Sequence, residues 1–95
     1  MHNEIEKIKY HQKLILIIAT SDDSEKMLFF QNIIAFDLSE QEVKSILEFV
    51  QEKNTNGLKK FIKDNQLSYD FETILSDLIN QEILVNKARK MLNNL

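Results

Sequence analysis

Apolar residues recur every three or four positions along most of the chain, which is the spacing of one face of an α-helix. The first such segment covers residues 3–19. Within it, Ile5, Ile8, Ile15 and Ile18 are spaced to form a buried face, and the charged residues of its first half fall on the opposite side. The pattern therefore predicts that the chain begins with an amphipathic helix.

The end of this helix, "LILIIA", is apolar on nearly every face. Such a segment is buried on several sides, either at the centre of a bundle or against a second copy of the chain. We take Leu14, Ile15, Ile17 and Ile18 as the candidate self-association face. A buried β-strand is the alternative, because these residues also favour strands. We favour a helix, since nothing nearby supplies partner strands.

The polar stretch "TSDDS" then predicts a short loop that caps a second helix. Asp23 or Ser24 is the expected N-cap, since both side chains accept hydrogen bonds from free backbone amides. The second helix is expected to run to about Ala35. Its predicted core face consists of Met27 or Leu28 together with Phe30, Ile33 and Ile34.

The stretch "DLSEQEV" predicts the start of a third helix. Ser39 and Glu42 have the spacing of a capping box, in which each side chain bonds the backbone amide of the other residue. Leu38 and Val43 have the spacing of a hydrophobic staple at the same site. The helix is expected to continue to about residue 53, where "NTNG" ends it with Asn56 and Gly57 in the left-handed conformation.

The remainder of the chain predicts two or three more helices. A short fourth helix covers residues 58–64, and a fifth begins near Tyr69 or Asp70. The polar stretch at 80–82 then interrupts the apolar stripe, which resumes at Ile83. Because no glycine or proline marks a break, one continuous rod is an alternative, but we expect a kink or tight corner.

Composition supports this all-α interpretation. The chain has 95 residues, of which 43% are apolar, and it contains no proline and a single glycine. All-β folds need turn residues at short intervals, and this chain lacks them. We therefore predict one domain spanning residues 1–95, a compact bundle of five or six helices.

The sequence offers little for catalysis, cofactors or metals. The only histidines, His2 and His11, are nine positions apart, and one glycine cannot build a phosphate-binding loop. The absence of cysteine excludes disulfides and thiolate metal sites, which favours the cytoplasm. The longest apolar run is too short to cross a bilayer. We expect no catalytic residue, cofactor, metal or membrane span.

Charge leaves one sharper hypothesis. The net charge of −3 argues against nucleic-acid binding, which depends on neutralising phosphates. However, Lys59, Lys60 and Lys63 cluster on the short fourth helix, which would follow the third helix as a recognition helix does in a helix-turn-helix. A second basic cluster lies at 87–90. Solvated helix faces are the simpler interpretation of both clusters.

Three segments resemble a family of small all-α proteins. They are "IEKIKYHQKLIL" at 5–16, "LSEQEVKSIL" at 38–47 and "NQLSYDFETILSDLINQEI" at 65–83. Together they are similar to the uncharacterised YhaI-like family from Bacillus and its relatives. The family pattern has a glycine where this chain has Glu82, and a longer segment around residues 52–63. The resemblance implies a single helical domain and carries over no catalytic residue.

From the sequence we predict a non-enzymatic protein–protein interaction or adaptor module that forms a homodimer and binds a further, unidentified protein. A DNA-binding regulator that uses Lys59, Lys60 and Lys63 is the alternative, with nucleic acid disfavoured by the net charge. A small enzyme is a third and weaker hypothesis, because no coherent group of catalytic side chains is present.

Overall fold

The computed structural model describes residues 2–93, the first two of them by their backbone only, and this part of the chain contains six α-helices and no β-strand. The predicted all-α fold is confirmed. The helices are α1 (His2–Ala19), α2 (Leu28–Ala35), α3 (Glu40–Gln51), α4 (Thr55–Asp64), α5 (Phe71–Asn80) and α6 (Val85–Asn93). The favoured helical assignment of "LILIIA" is confirmed, and the side chain of His2 lies outside the described residues.

The fifth helix lies at the centre of the bundle. It packs against α2, α4 and α6, while α3 packs against α4 and α6 on the far side. Five of its ten residues are buried, the largest number on any helix. The first helix packs extensively only against α2, and Leu14 is its one fully buried side chain among the described residues. The core thus belongs mainly to α2–α6, and α1 lies at its edge.

The predicted capping box at the start of α3 is confirmed. The Ser39 hydroxyl accepts a hydrogen bond from the Glu42 amide at 3.1 Å, and the Ser39 amide donates to Glu42 Oε1 at 2.8 Å. Leu38 and Val43 are both buried in the same core cluster, as a hydrophobic staple requires. Two local devices therefore fix where α3 begins and how the chain enters it.

The predicted boundary between α3 and α4 is wrong by several residues. Lys53, with φ of 52°, takes the left-handed conformation expected of Asn56 and Gly57, and both of those residues lie inside α4. The Asn54 side chain caps α4 by accepting from the Gly57 amide at 2.9 Å. A Cβ at Gly57 would lie 2.6 Å from Asn54 Nδ2, so glycine is needed there for close approach rather than for backbone conformation.

The second helix also begins later than predicted. Asp23 precedes only one turn of 3₁₀ helix (Ser24–Lys26), and α2 starts at Leu28 without a side-chain cap. The buried residues of α2 are Phe29 and Ile33, whereas Leu28 is exposed and Phe30 half-buried. Ile33 is therefore buried as predicted, Phe30 and Ile34 pack partly buried against the core, and Phe29 is a buried residue that the prediction omitted.

The predicted corner after α5 is confirmed. The chain leaves α5 through Glu82 and Leu84, which have φ of 62° and 48°, and α6 begins at the next residue. The Ile83 amide donates to the Leu78 carbonyl at 2.9 Å across this corner. Glu82, the position at which the YhaI-like pattern has glycine, thus adopts a conformation that glycine takes more easily.

The predicted inward face of the first helix is wrong. Ile5, Ile8 and Ile15 point to solvent, while Lys7 and Leu14 face the body of the bundle. The reason is the corner between α2 and α3, which presents a carboxylate and a free carbonyl group to α1. The Leu38 carbonyl is part-buried and needs a hydrogen-bond donor, which His11 supplies and an apolar stripe cannot, whereas the Asp37 side chain is 70% exposed to water.

Candidate interaction surface

The inner face of α1 is fixed to the bundle by two polar contacts and one apolar contact. Lys7 Nζ donates to Asp37 Oδ2 at 3.1 Å, and His11 Nε2 donates to the Leu38 carbonyl at 2.7 Å. The hydrogen bond to Asp37 raises the pKa of Lys7 above its usual value. One turn further on, Leu14 enters the core and is 4% exposed. These three contacts set the rotation of α1 about its own axis.

That rotation leaves an apolar stripe on the outer face of α1. Ile5, Ile8, Ile15 and Leu16 are 56%, 55%, 50% and 64% exposed, respectively. Because consecutive residues lie about 100° apart around a helix axis, all four fall within one sector of roughly 100°. We call these four residues the outer stripe. It lies roughly 130° around the helix from the inner face, so α1 has two separate apolar faces.

The outer stripe contains four of the seven large apolar side chains that the described residues expose. Of the seven large apolar side chains exposed in this part of the chain, five belong to α1; the other two are Leu28 and Phe36. Singly exposed apolar residues are normal on protein surfaces, whereas a continuous patch marks a binding surface. The outer stripe is therefore the strongest candidate for a binding surface on this bundle.

The structure divides the four predicted self-association residues among three environments. Leu14 is in the core and Ile18 is half-buried. Ile15 belongs to the outer stripe, while Ile17 is 43% exposed on another side of the helix, roughly 160° away from Ile15. Self-association remains a prediction, but the residues that could carry it are different. The sequence pattern already contained Ile5, Ile8 and Ile15, and we placed them on the wrong face.

The basic clusters are partly engaged in packing. Lys59 Nζ lies 5.0 Å from the centre of the Phe71 ring, where its charge interacts with the aromatic face. Lys87 Nζ donates to the Gln51 carbonyl at 2.7 Å, near the C-terminus of α3. Lys60 and Lys63 are exposed on α4. Two of the cations that suggested a nucleic-acid face therefore already have structural contacts.

A buried polar cluster was missed by sequence reasoning. Asp77 is 5% exposed, and its Oδ2 atom accepts hydrogen bonds from the Tyr69 hydroxyl and the Asn32 amide, each at 2.5 Å. Burial and the bond to Asp77 raise the pKa of Tyr69 far above its usual range. The signal was an aspartate within the apolar stripe of α5. The cluster ties α2 and the loop before α5 to α5 itself.

An open cleft lies between α1 and the start of α3. Its volume is about 550 Å³, and it is lined mainly by charged side chains, including Glu4, Glu6 and Glu40. Ser39 and Glu42, which also line it, are already paired in the capping box. Among the side chains that the structure describes, at residues 4–93, no three His, Cys, Asp or Glu are grouped as a metal ion would require. The cleft therefore presents no formed metal site.

Comparison with known protein families identifies the family of this chain. Residues 1–93 match the family described as "Protein of unknown function (DUF1878)", and the chain belongs to this family. No curated protein and no solved structure matches the chain. None of the six helices, over the residues that the structure describes, is long and apolar enough to cross a membrane.

Proposed function

We propose that this protein is a non-enzymatic protein–protein interaction module that associates with a second copy of itself through the outer stripe of α1. The observation that carries the proposal is that Ile5, Ile8, Ile15 and Leu16 are each at least half exposed on one side of a helix whose other side is already docked. A soluble bundle gains nothing in its own stability from such a face, so a partner surface accounts for it.

The size of the outer stripe fits a protein interface. Its four side chains, each at least half exposed, make an apolar patch of roughly a few hundred Å², a size at which surface patches are often functional. A standard interface buries about 800 Å² per partner, of which somewhat more than half is apolar. The outer stripe therefore supplies about the apolar share of one ordinary interface, and the surrounding polar side chains of α1 supply the rest.

The buried polar groups support a structural rather than a catalytic role. Asp77, Tyr69 and Asn32 satisfy one another, and Ser39 and Glu42 complete a helix cap. Asp77 and Tyr69 are buried and lack the access to a substrate that a catalytic acid, base or nucleophile needs, while Ser39 and Glu42 are engaged with each other in the helix cap. We therefore assign them to the stability of the bundle.

The test is a pair of charge substitutions on α1. Ile8→Lys places a charge inside the outer stripe, whereas Ile17→Lys places the same charge at a similarly exposed isoleucine of the same helix outside it. We expect Ile8→Lys to be monomeric by analytical ultracentrifugation at a concentration where the wild type and Ile17→Lys are dimers. Equal effects of the two substitutions, or none, would contradict the proposal.

DNA binding through α4 is the second candidate. The observation in its favour is that α4 has ten residues, longer than predicted, with Lys60 and Lys63 exposed on it. Duplex binding of this kind weakens steeply as salt rises. Replacing Lys59, Lys60 and Lys63 by glutamate should abolish it, and an affinity that stays unchanged rules this face out.

Three finer expectations complete the proposal. We propose a cytoplasmic location, supported by the absence of cysteine. We propose that the similarity to the YhaI-like family of Bacillus and its relatives is a true relationship within the family identified above. We also propose that the dimer binds a further protein, which affinity capture from the native cell followed by mass spectrometry would identify.

A further inference from the structure

The outer face of α1 follows the seven-residue repeat of a coiled-coil seam. Ile5, Ile8, Gln12, Ile15 and Ala19 are separated by three, four, three and four residues. Two such helices pair when these positions face each other, because the repeat keeps one continuous seam in contact. Leu16 and Lys9 border the seam on one side, and Glu4 borders it on the other.

We infer that two copies of the chain pair through this seam with their α1 helices parallel and Gln12 of both copies at the two-fold axis. The inference rests on the proposed self-association and adds its geometry. Parallel pairing sets each seam residue against its own counterpart, so isoleucine packs on isoleucine in three layers. The two Gln12 amides then hydrogen-bond each other, as a single polar seam residue does when it fixes the register of a parallel pair.

Antiparallel pairing leaves the same amide without a partner. When the four positions from Ile5 to Ile15 are matched in the reverse direction, Gln12 of one copy lies opposite Ile8 of the other. A buried amide without a hydrogen-bond partner costs the free energy of its lost hydration. The polar residue in the seam therefore favours the parallel arrangement.

The charges beside the seam give the same preference. In the parallel pair Glu4 of one copy lies next to Lys9 of the other, and the symmetry produces this ion pair twice. Glu4 is available for this ion pair, because its side chain is 73% exposed and its contact with Lys7 Nζ, at 4.0 Å, is long. The antiparallel pair instead brings the two Lys9 side chains together. Opposite charges attract in one arrangement and like charges repel in the other.

The contacts that attach α1 to its own bundle lie away from the centre of the seam. Lys7 and Leu14 attach α1 to its own bundle roughly 120° to 140° around the helix from the seam, and His11 attaches it about 80° from the seam. A two-fold axis parallel to the helices then places the two bundles on opposite sides of the pair. The shared seam is accessible to both copies.

Because the chain contains no cysteine, a single introduced cysteine reports this geometry directly. Ile5→Cys should form an intermolecular disulfide under mild oxidation, since parallel pairing brings the two cysteines within the distance that a disulfide spans. Ile17→Cys, outside the seam, should stay reduced. In the antiparallel arrangement the two Ile5 positions are about 15 Å apart along the axis.

The alternatives give different results. If the wild type is a dimer but Ile5→Cys cross-links only when mixed with Ile15→Cys, the parallel arrangement is overturned and self-association stands. If the wild type is a monomer by ultracentrifugation, both are overturned. A trimer or tetramer, which isoleucine at both kinds of seam position favours, would overturn the two-fold pair while self-association stands.

A charge exchange tests the same arrangement without altering the seam. Glu4→Lys and Lys9→Glu should each weaken dimerisation about 5-fold, because each replaces two exposed ion pairs by like charges. The double variant Glu4→Lys/Lys9→Glu should recover wild-type affinity. Residues 4 and 9 lie roughly 140° apart on one helix, so they cannot rescue each other within a chain. A double variant weaker than either single variant would overturn the parallel pair.

Discussion

Removing the Tyr69 hydroxyl should destabilise the bundle without creating a cavity. The hydroxyl donates to Asp77 Oδ2 at 2.5 Å in a region from which water is excluded, and Tyr69 itself is fully buried. In Tyr69→Phe the ring keeps its packing, but the carboxylate retains only the bond from Asn32. A hydrogen bond to a charged group contributes about 1.5–3 kcal/mol, so we expect the free energy of unfolding to fall by about 2 kcal/mol.

Urea unfolding followed by far-ultraviolet circular dichroism measures this change. The midpoint should fall while the denaturant dependence stays the same, because the surface exposed on unfolding is unaltered. Tyr10→Phe is the matched control, since Tyr10 is half-buried on α1 and its hydroxyl has no hydrogen-bond partner among the described residues. We expect the control to change stability by less than about 0.5 kcal/mol. Equal effects of the two substitutions would refute this account of the buried cluster.

Three further predictions concern stability. Ser39→Ala should lower the free energy of unfolding, measured with denaturant, by about 1 kcal/mol, because it removes one half of the capping box. It should leave dimerisation unchanged, and loss of dimerisation in a folded variant would show that the cap also serves binding. Glu82→Gly should stabilise the protein by up to about 1 kcal/mol, because Glu82 has φ of 62°, and a lower melting temperature would contradict this. Finally, burial raises the pKa of Tyr10 to about 12, and that of Tyr69 rises further, so both favour the neutral form in the folded state. Tyrosine in the unfolded chain ionises near pH 10, so the free energy of unfolding should be retained below about pH 10 and should fall as the pH rises above it. This fall should be steeper in the wild type than in Tyr69→Phe, which lacks one of the two tyrosines.

The parts of the fold that local sequence determines were predicted well. The capping box at Ser39 and Glu42 depends on side chains three residues apart, so the sequence alone was sufficient. The corner at residues 80–84 was predicted from a local break in the apolar stripe. The end of α3 was not, because Lys53 takes a left-handed conformation that its residue type does not suggest.

The features that depend on tertiary contacts were predicted poorly. The rotation of α1 is set by Asp37 and the Leu38 carbonyl, about 30 residues away from the Lys7 and His11 side chains that bind them. The apolar spacing of α1 was visible in the sequence, but nothing there indicated which of two apolar faces would dock. Asp77 was missed for the same reason, because its partners lie on other segments.

The outer stripe owes its role as a candidate site to that rotation. If Ile5, Ile8 and Ile15 faced the core, as the spacing suggested, the bundle would expose no continuous apolar face on α1. Because Lys7, His11 and Leu14 occupy the docked face instead, the isoleucines are left for a partner. The exposed position of the outer stripe is thus a consequence of how α1 attaches to the bundle.

The mass of the wild-type protein in solution tests the central claim most directly. Sedimentation equilibrium across concentrations up to about 50 µM covers the range expected for an interface of this size. The account predicts a dimer, with twice the mass of one chain, that Ile8→Lys dissociates and Ile17→Lys does not. A wild-type monomer throughout this range would contradict it.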